Sequence, residues 1–168
     1  MGSVTVTFDF AADEMGFQAT PKSSNTVMTY DSGSLKSRIS GKNVSDVNNY
    51  WQKFITLEDL GLPPGSTLTA IRSPSMRSKC TEFDSGASSI SGTATIVLYT
   101  NQWTLSAPRT IRSVDGDFVT SAGDEITGIS LPSTTSGAIT IFNSMGTTGH
   151  GGAVSLLQDS LTFTLDYI

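Results

Sequence analysis

Val4-Thr5-Val6-Thr7-Phe8-Asp9-Phe10 near one end of the chain and Leu161-Thr162-Phe163-Thr164-Leu165-Asp166-Tyr167 at the other share one grammar, apolar and polar residues alternating one by one. A strand turns successive side chains to opposite faces, so a period of two marks a ribbon with one buried and one wetted side. Matching terminal strands are expected to pair, which covers two open edges and ties down both chain ends. Such pairing is expected to bring the carboxylates of Asp9 and Asp166 close together near one edge.

The same period runs between these ends. Strands are expected at 3–10, 26–31, 34–40, 50–57, 66–73, 92–100, 109–114, 117–121, 125–131, 137–143 and 160–167, with Gly, Ser, Pro, Asn or Asp in the gaps. Asp115-Gly116 between Ile111-Arg112-Ser113-Val114 and Asp117-Phe118-Val119 reads as a hairpin turn, because glycine accepts a positive φ. Leu57-Glu58-Asp59-Leu60-Gly61 reads as one helical turn ended by glycine, and Leu62-Pro63-Pro64-Gly65 as a break before the next strand. Segment 73–91, rich in Ser, Gly, Lys and Arg, is expected to be a long loop or edge excursion, and Gly146–Gly152 a second flexible stretch. No repeat, heptad or linker divides the chain. About ten short strands without a three-turn helix predict an all-β, antiparallel two-sheet β-sandwich or jelly roll, one domain over 1–168.

Composition narrows the function. The 168 residues contain 25 Ser and 23 Thr but only 10 Lys+Arg and 15 Asp+Glu, a formal net charge of -5. An acidic, charge-poor surface argues against nucleic acid and anionic membrane as partners, and no apolar run is long enough to span a bilayer. Met1-Gly2-Ser3 leads straight into a strand pattern rather than a secretory signal, so the chain as written is expected to fold without export. Cys80 is the single cysteine, which excludes an intrachain disulfide and a cysteine zinc cluster and reads as a passive thiol.

The whole chain resembles a carbohydrate-binding-module jelly roll of the galactose-binding-like type. The resemblance is carried by Phe8-Asp9-Phe10, Met15-Gly16-Phe17, Tyr30-Asp31-Ser32-Gly33-Ser34-Leu35-Lys36, Trp51, Leu60-Gly61-Leu62-Pro63-Pro64-Gly65-Ser66-Thr67-Leu68-Thr69 and the final Leu165-Asp166-Tyr167-Ile168. It implies a non-catalytic glycan binder, a fold that recurs in bacteriophage fibres and capsid decoration proteins. It also implies a structural calcium held by Asp9, Asp166 and the backbone from Asp31 to Ser34, an all-oxygen set that suits this ion. The implied setting is a virion assembled in the host cytoplasm, with other capsid or tail proteins as partners or a homo-oligomer such as a trimer. The alternative is a calcium-stabilised module of a secreted glycan-active protein.

Sugar rings stack their C–H faces on aromatic planes while polar neighbours take the hydroxyls. The candidates are Tyr50, Trp51, Trp103 and Tyr99. Trp51 and Ile55 share one face of strand 50–57, and Tyr50, Gln52 and Phe54 the other. One face is core, and the residues leave open which aromatic is exposed. Trp103, in Asn101-Gln102-Trp103-Thr104, is expected at a loop tip. His150 has no second imidazole or thiol for a transition metal. Asp124-Glu125 and Glu58-Asp59 are adjacent in sequence, so strand geometry points them apart and neither forms a glycosidase pair. No nucleophile elbow, Walker loop or zinc-protease motif is present, and no catalytic activity is expected. Asn43-Val44-Ser45 matches a glycosylation sequon, which matters only in a secreted chain.

Overall fold

A computed structural model describes residues 1–12, 16–44, 47–99, 101–106, 109 and 111–168. In chain order the strands are β1 (Gly2–Asp9), β2 (Gln18–Thr20), β3 (Thr26–Asp31), β4 (Ser34–Ser40), β5 (Val47–Thr56), β6 (Thr67–Phe83), β7 (Ala87–Leu98), β8 (Asn101–Ser106), β9 (Val119–Ala122), β10 (Ile126–Pro132), β11 (Ser136–Thr147) and β12 (Ala153–Tyr167). All pair antiparallel, in two sheets. One runs β10-β6-β12-β4-β3, with β1 also on β12 and β9 also on β6; the other runs β2-β5-β11-β7-β8. The fold is a two-sheet β-sandwich.

The terminal strands pair as expected, from Gly2 opposite Tyr167 to Asp9 opposite Ser160. Their inward residues Val6, Phe8, Leu161, Phe163 and Leu165 are buried. Full burial of a Leu or Phe side chain contributes about 1.5–3 kcal/mol, which explains why the apolar positions of this ribbon dictate its register. Leu57 to Gly61 forms the expected turn. The amide of Gly61 donates to the Glu58 carbonyl at 2.9 Å and that of Leu62 to the Leu57 carbonyl at 3.1 Å, with Gly61 at φ 95°.

The interior is not one apolar mass. A larger cluster includes Leu35, Trp51, Met76, Ala94, Ile141 and Leu161, and a smaller one Ile39, Cys80, Ile90, Met145 and Leu156. Between them, each central strand places a polar or side-chain-free residue at an inward position: Ser37 on β4, Asn49 on β5, Ser78 on β6, Gly92 on β7, Asn143 on β11 and Gln158 on β12, all buried. Asn143 Nδ2 donates to Ser37 Oγ (2.9 Å) and to Gln158 Oε1 (3.1 Å), while Gln158 Nε2 donates to Asn143 Oδ1 (2.7 Å). Trp51 Nε1 also donates to Ser37 Oγ, at 3.3 Å. Gly92 leaves the space for this pair: a Cβ there would lie 2.9 Å from Gln158 Nε2 and 3.2 Å from Asn143 Oδ1. This polar belt crosses the sandwich and links the two sheets by directional bonds.

Three expectations are corrected. Segment 73–91 is not a long loop, because β6 continues to Phe83 and β7 begins at Ala87. Asp115-Gly116 makes no hairpin. Asp115 accepts the Cys80 amide (2.8 Å) and Arg109 Nη2 (2.6 Å), which straps the preceding segment onto β6. Gly146 and Thr147 belong to β11 rather than to a flexible stretch. Cys80 is fully buried, and that burial raises its thiol pKa.

Candidate functional site

Alternation on β5 sends Trp51 and Ile55 inward and Tyr50, Gln52 and Phe54 outward. The neighbouring strands continue this outer face rung by rung. Tyr50 stands opposite Phe142, Gln52 opposite Thr140 and Phe54 opposite Ala138. Across β11 these meet Thr93, Thr95 and Val97 of β7, and Thr95 and Val97 then meet Thr104 and Gln102 of β8. From Asn48 to Thr56 the face runs roughly 25 Å along the strands.

The face is dished. Thr95, Thr140 and Ala138 lie on its outer side yet are only 3%, 4% and 7% exposed, whereas Phe54 at the rim is 72% exposed. Two grooves occupy the trough. One, of about 640 Å³, is lined by Gln52, Phe54, Val97, Tyr99, Ala138 and Asp59, among others. The second, of about 310 Å³, lies at the opposite end among Asn48, Thr95, Gln102, Thr104, Phe142 and neighbouring hydroxyls. Beside the second groove the rings of Tyr50 and Phe142 pack at 5.7 Å, and the Lys22 ammonium lies 4.9 Å from the Tyr50 centroid.

Two residues at the first groove are held against their local preference. Leu98 pairs with Asn101, so Tyr99 opens the tight turn between β7 and β8, at φ 57°. Such a turn favours Asn or Gly at this point, and a left-handed backbone costs a non-glycine residue roughly 1–2 kcal/mol. The ring is nevertheless there, 63% exposed, sharing the groove with Phe54. Gly137 beneath them admits no side chain, because a Cβ would meet the Val97 carbonyl oxygen at 1.9 Å. The result is two exposed rings beside a floor of small residues. Asp59 at the rim accepts the Thr56 amide at 2.7 Å, and that bond, the first cause, holds its carboxyl below the usual carboxylate value.

The structure thus separates the four aromatic candidates. Tyr50 and Tyr99 lie on the outer face. Trp51 is 5% exposed and belongs to the core, which removes it from the ligand-binding set. Trp103 is not at a loop tip: it sits within β8 opposite Ile96, half-buried against the core cluster. Phe54 and Phe142, not among the four candidates, share this outer face and line its grooves, and the parity of β5 already places Phe54 on the face of Tyr50.

The calcium expectation meets a different geometry. Asp9 stands opposite Ser160 while Asp166 stands opposite Ser3, so the two are six residues apart along β12, about 20 Å. Asp166 is taken by Arg72 Nε at 2.5 Å. Asp9 does approach the turn after Asp31. It shares a cavity of about 410 Å³ with Ser32, Gly33, Arg77 and Asp159, all of its own seven-stranded sheet or its turns. Asp31 itself pairs with Lys36 Nζ at 3.2 Å. Among the described residues no group of three His, Cys, Asp or Glu side chains converges on one point. His150 lies exposed after Thr148, Glu125 pairs with Arg72 at 2.8 Å, and Glu58 accepts the Ser133 hydroxyl at 2.8 Å. Met15 and Ser45, parts of the resemblance and of the sequon, lie outside the described residues.

No family model and no curated protein matches this chain. Its structural neighbours include carbohydrate-binding modules. One is TmCBM61 in complex with β-1,4-galactotriose, at 10% identity over 90% of this chain and 92% of that chain, TM-score 0.47. Another is the C-terminal family 22 carbohydrate-binding module of Clostridium thermocellum Xyn10B, at 11% identity over 94% and 90%, TM-score 0.46. A third neighbour, the infectious bursal disease virus Gt strain, matches at 15% identity over 88% of this chain and 32% of that one, TM-score 0.43.

Proposed function

We propose that this protein binds carbohydrate, without catalysis, in the trough on the outer face of its five-stranded sheet. The observation that carries this is a concave floor of buried small and hydroxylated residues, flanked by the outward rings of Tyr50, Phe54, Tyr99 and Phe142. Rings supply flat apolar platforms for C–H faces, and Gln52, Asn48 and Gln102 supply amides for hydroxyls. Asp59 is the one carboxylate among the described residues lining the two grooves. A glycoside hydrolase of the common kind needs two flanking carboxyl groups, so binding is favoured over bond cleavage.

Affinity electrophoresis in gels containing xylan, β-1,4-galactan or β-glucan tests this directly. At least one polysaccharide is expected to retard the protein, and Phe54→Ala and Tyr50→Ala to restore mobility while the melting temperature holds. Equal mobility in every gel would overturn the proposal.

The exposed apolar group formed by Phe54 and Tyr99 favours a second setting for the same module, an accessory protein of a bacteriophage virion whose copies or capsid partners cover those rings. Solution mass separates the two. A closed trimer that Phe54→Ala dissociates supports the virion setting, and a monomer supports a free-standing module.

A further inference from the structure

Within the trough, one rung crosses four strands with four polar side chains: Gln52 on β5, Thr140 on β11, Thr95 on β7 and Thr104 on β8. Gln52 Nε2 donates to Thr140 Oγ1 at 3.3 Å. Thr95 beside them is 3% exposed, and its hydroxyl finds no hydrogen-bond partner among the described residues. Burying such a hydroxyl unpaired costs roughly 1–3 kcal/mol. Valine has the same shape, suits a strand equally well and carries no polar atom to leave unsatisfied. The hydroxyl therefore works against the stability of the free protein, at the floor of a groove that opens to solvent.

We propose that Thr95 is a specificity-determining residue at an uncharged subsite, where its hydroxyl pairs with one hydroxyl of a neutral sugar unit. This rests on the trough being the glycan-binding face. The lining of the smaller groove supports the class of ligand. It presents amides from Asn48 and Gln102, hydroxyls including those of Thr104 and Ser144, and the edge of Phe142. No Lys, Arg, Asp or Glu is among its described lining residues. A neutral polyol finds both donors and acceptors there. A uronate or phosphate group would be desolvated with no counter-charge beside it, an unfavourable exchange. Lys22, over Tyr50, lies outside this lining.

The test compares wild type, Thr95→Val and Thr95→Ser by affinity electrophoresis and calorimetry, with thermal melting of each variant in the absence of sugar. The probes are xylan, β-1,4-galactan and β-glucan as neutral chains and polygalacturonate as the charged one. Wild type is expected to prefer a neutral chain. Thr95→Val is expected to weaken that binding about threefold to tenfold, the worth of one neutral hydrogen bond. Thr95→Ser should stay within about twofold of wild type, because it keeps the hydroxyl. The valine variant should melt no lower than wild type, which a merely structural role for the hydroxyl would not give. Unchanged affinity in Thr95→Val, with wild-type binding intact, overturns the role of Thr95 and leaves the glycan-binding face standing. Tighter binding to polygalacturonate overturns the neutral class alone. No retardation in any gel removes both.

Discussion

The amide pair at the centre of the polar belt makes the sharpest stability prediction. Asn143 and Gln158 are both fully buried, and each is the other's partner through reciprocal bonds of 2.7 and 3.1 Å. Asn143→Leu orphans the carbonyl of Gln158 and leaves its Nε2 with Met76 Sδ alone, a weak contact at 3.7 Å. Gln158→Met orphans the carbonyl of Asn143, whose Nδ2 keeps Ser37. One buried unpaired group costs about 1–3 kcal/mol, so Gln158→Met should lose about 2 and Asn143→Leu about 3 kcal/mol. Replacing both removes polar atoms in pairs, and apolar replacement of a paired buried set is close to neutral. The double variant should therefore lie within about 1 kcal/mol of wild type, a coupling energy of roughly 4 kcal/mol. Urea denaturation of the four proteins measures the cycle. In thermal melts each single variant should fall by about 4–12 °C for a chain of this size. Single costs under about 0.5 kcal/mol, or a double variant as unstable as the sum of the singles, would refute the view that these amides satisfy each other. The cycle also bears on the proposed binding face, since Phe142 and Ser144 beside Asn143 line the trough. A double variant that folds but binds no glycan would show that the belt sets the register of the floor strand.

Three further outcomes are expected. Tyr99→Asn should raise the melting temperature by a few degrees, because Asn accepts the left-handed backbone at 57° more readily, while glycan binding falls with loss of the ring. A drop in both would mean that Tyr99 holds the turn rather than the ligand. Glu82 takes two bonds from Arg38, at 2.7 and 3.0 Å, and the hydroxyl of Ser155 at 3.0 Å. The Arg38 bond is the main cause holding its carboxyl below the usual 4.5. A depressed folded-state value stabilises fully above the unfolded value and less as pH falls through the folded one. Stability should therefore decline below about pH 4.5, and Glu82→Gln should flatten that decline in pH-dependent melts; identical profiles would remove the pair from the acid response. Because Asp9 and Asp166 lie at opposite ends of their strand pair, chelator is expected to leave the melting temperature unchanged. A fall of several degrees would show that the folded protein holds a stabilising cation after all.

Where the sequence-based strands stop short, most stop at or beside the belt. The strand expected at 66–73 ends earlier, at Ser73, which has φ 48° and precedes Pro74, although β6 continues through Ser78 to Phe83. The one expected at 92–100 begins at Gly92, although β7 begins at Ala87. Strand 137–143 ends at Asn143 and 160–167 begins after Gln158, whereas β11 and β12 pass straight through those residues. Strand 50–57 begins one residue after Asn49. In these last four cases the break falls at or within two residues of an inward Gly, Asn or Gln, and beyond it the smaller cluster of Ile39, Cys80, Ile90, Met145 and Leu156 is hidden from periodicity. β4 escaped because Ile39 follows Ser37 two residues later. Short edge strands were hidden for another reason: β2 buries none of its three side chains, so it has no apolar period to read. The outer face was partly legible, since parity alone set Phe54 beside Tyr50. Its concavity was not, because burial of Thr95 and Thr140 depends on neighbouring strands brought together from distant sequence. The same inversion joins fold and function: polar residues mark the inside of the sandwich at the belt, and exposed rings mark its outside at the trough. Apolar periodicity breaks off at the first and leaves the second undecided, since on β5 it does not say whether the face of Trp51 or that of Tyr50 is core.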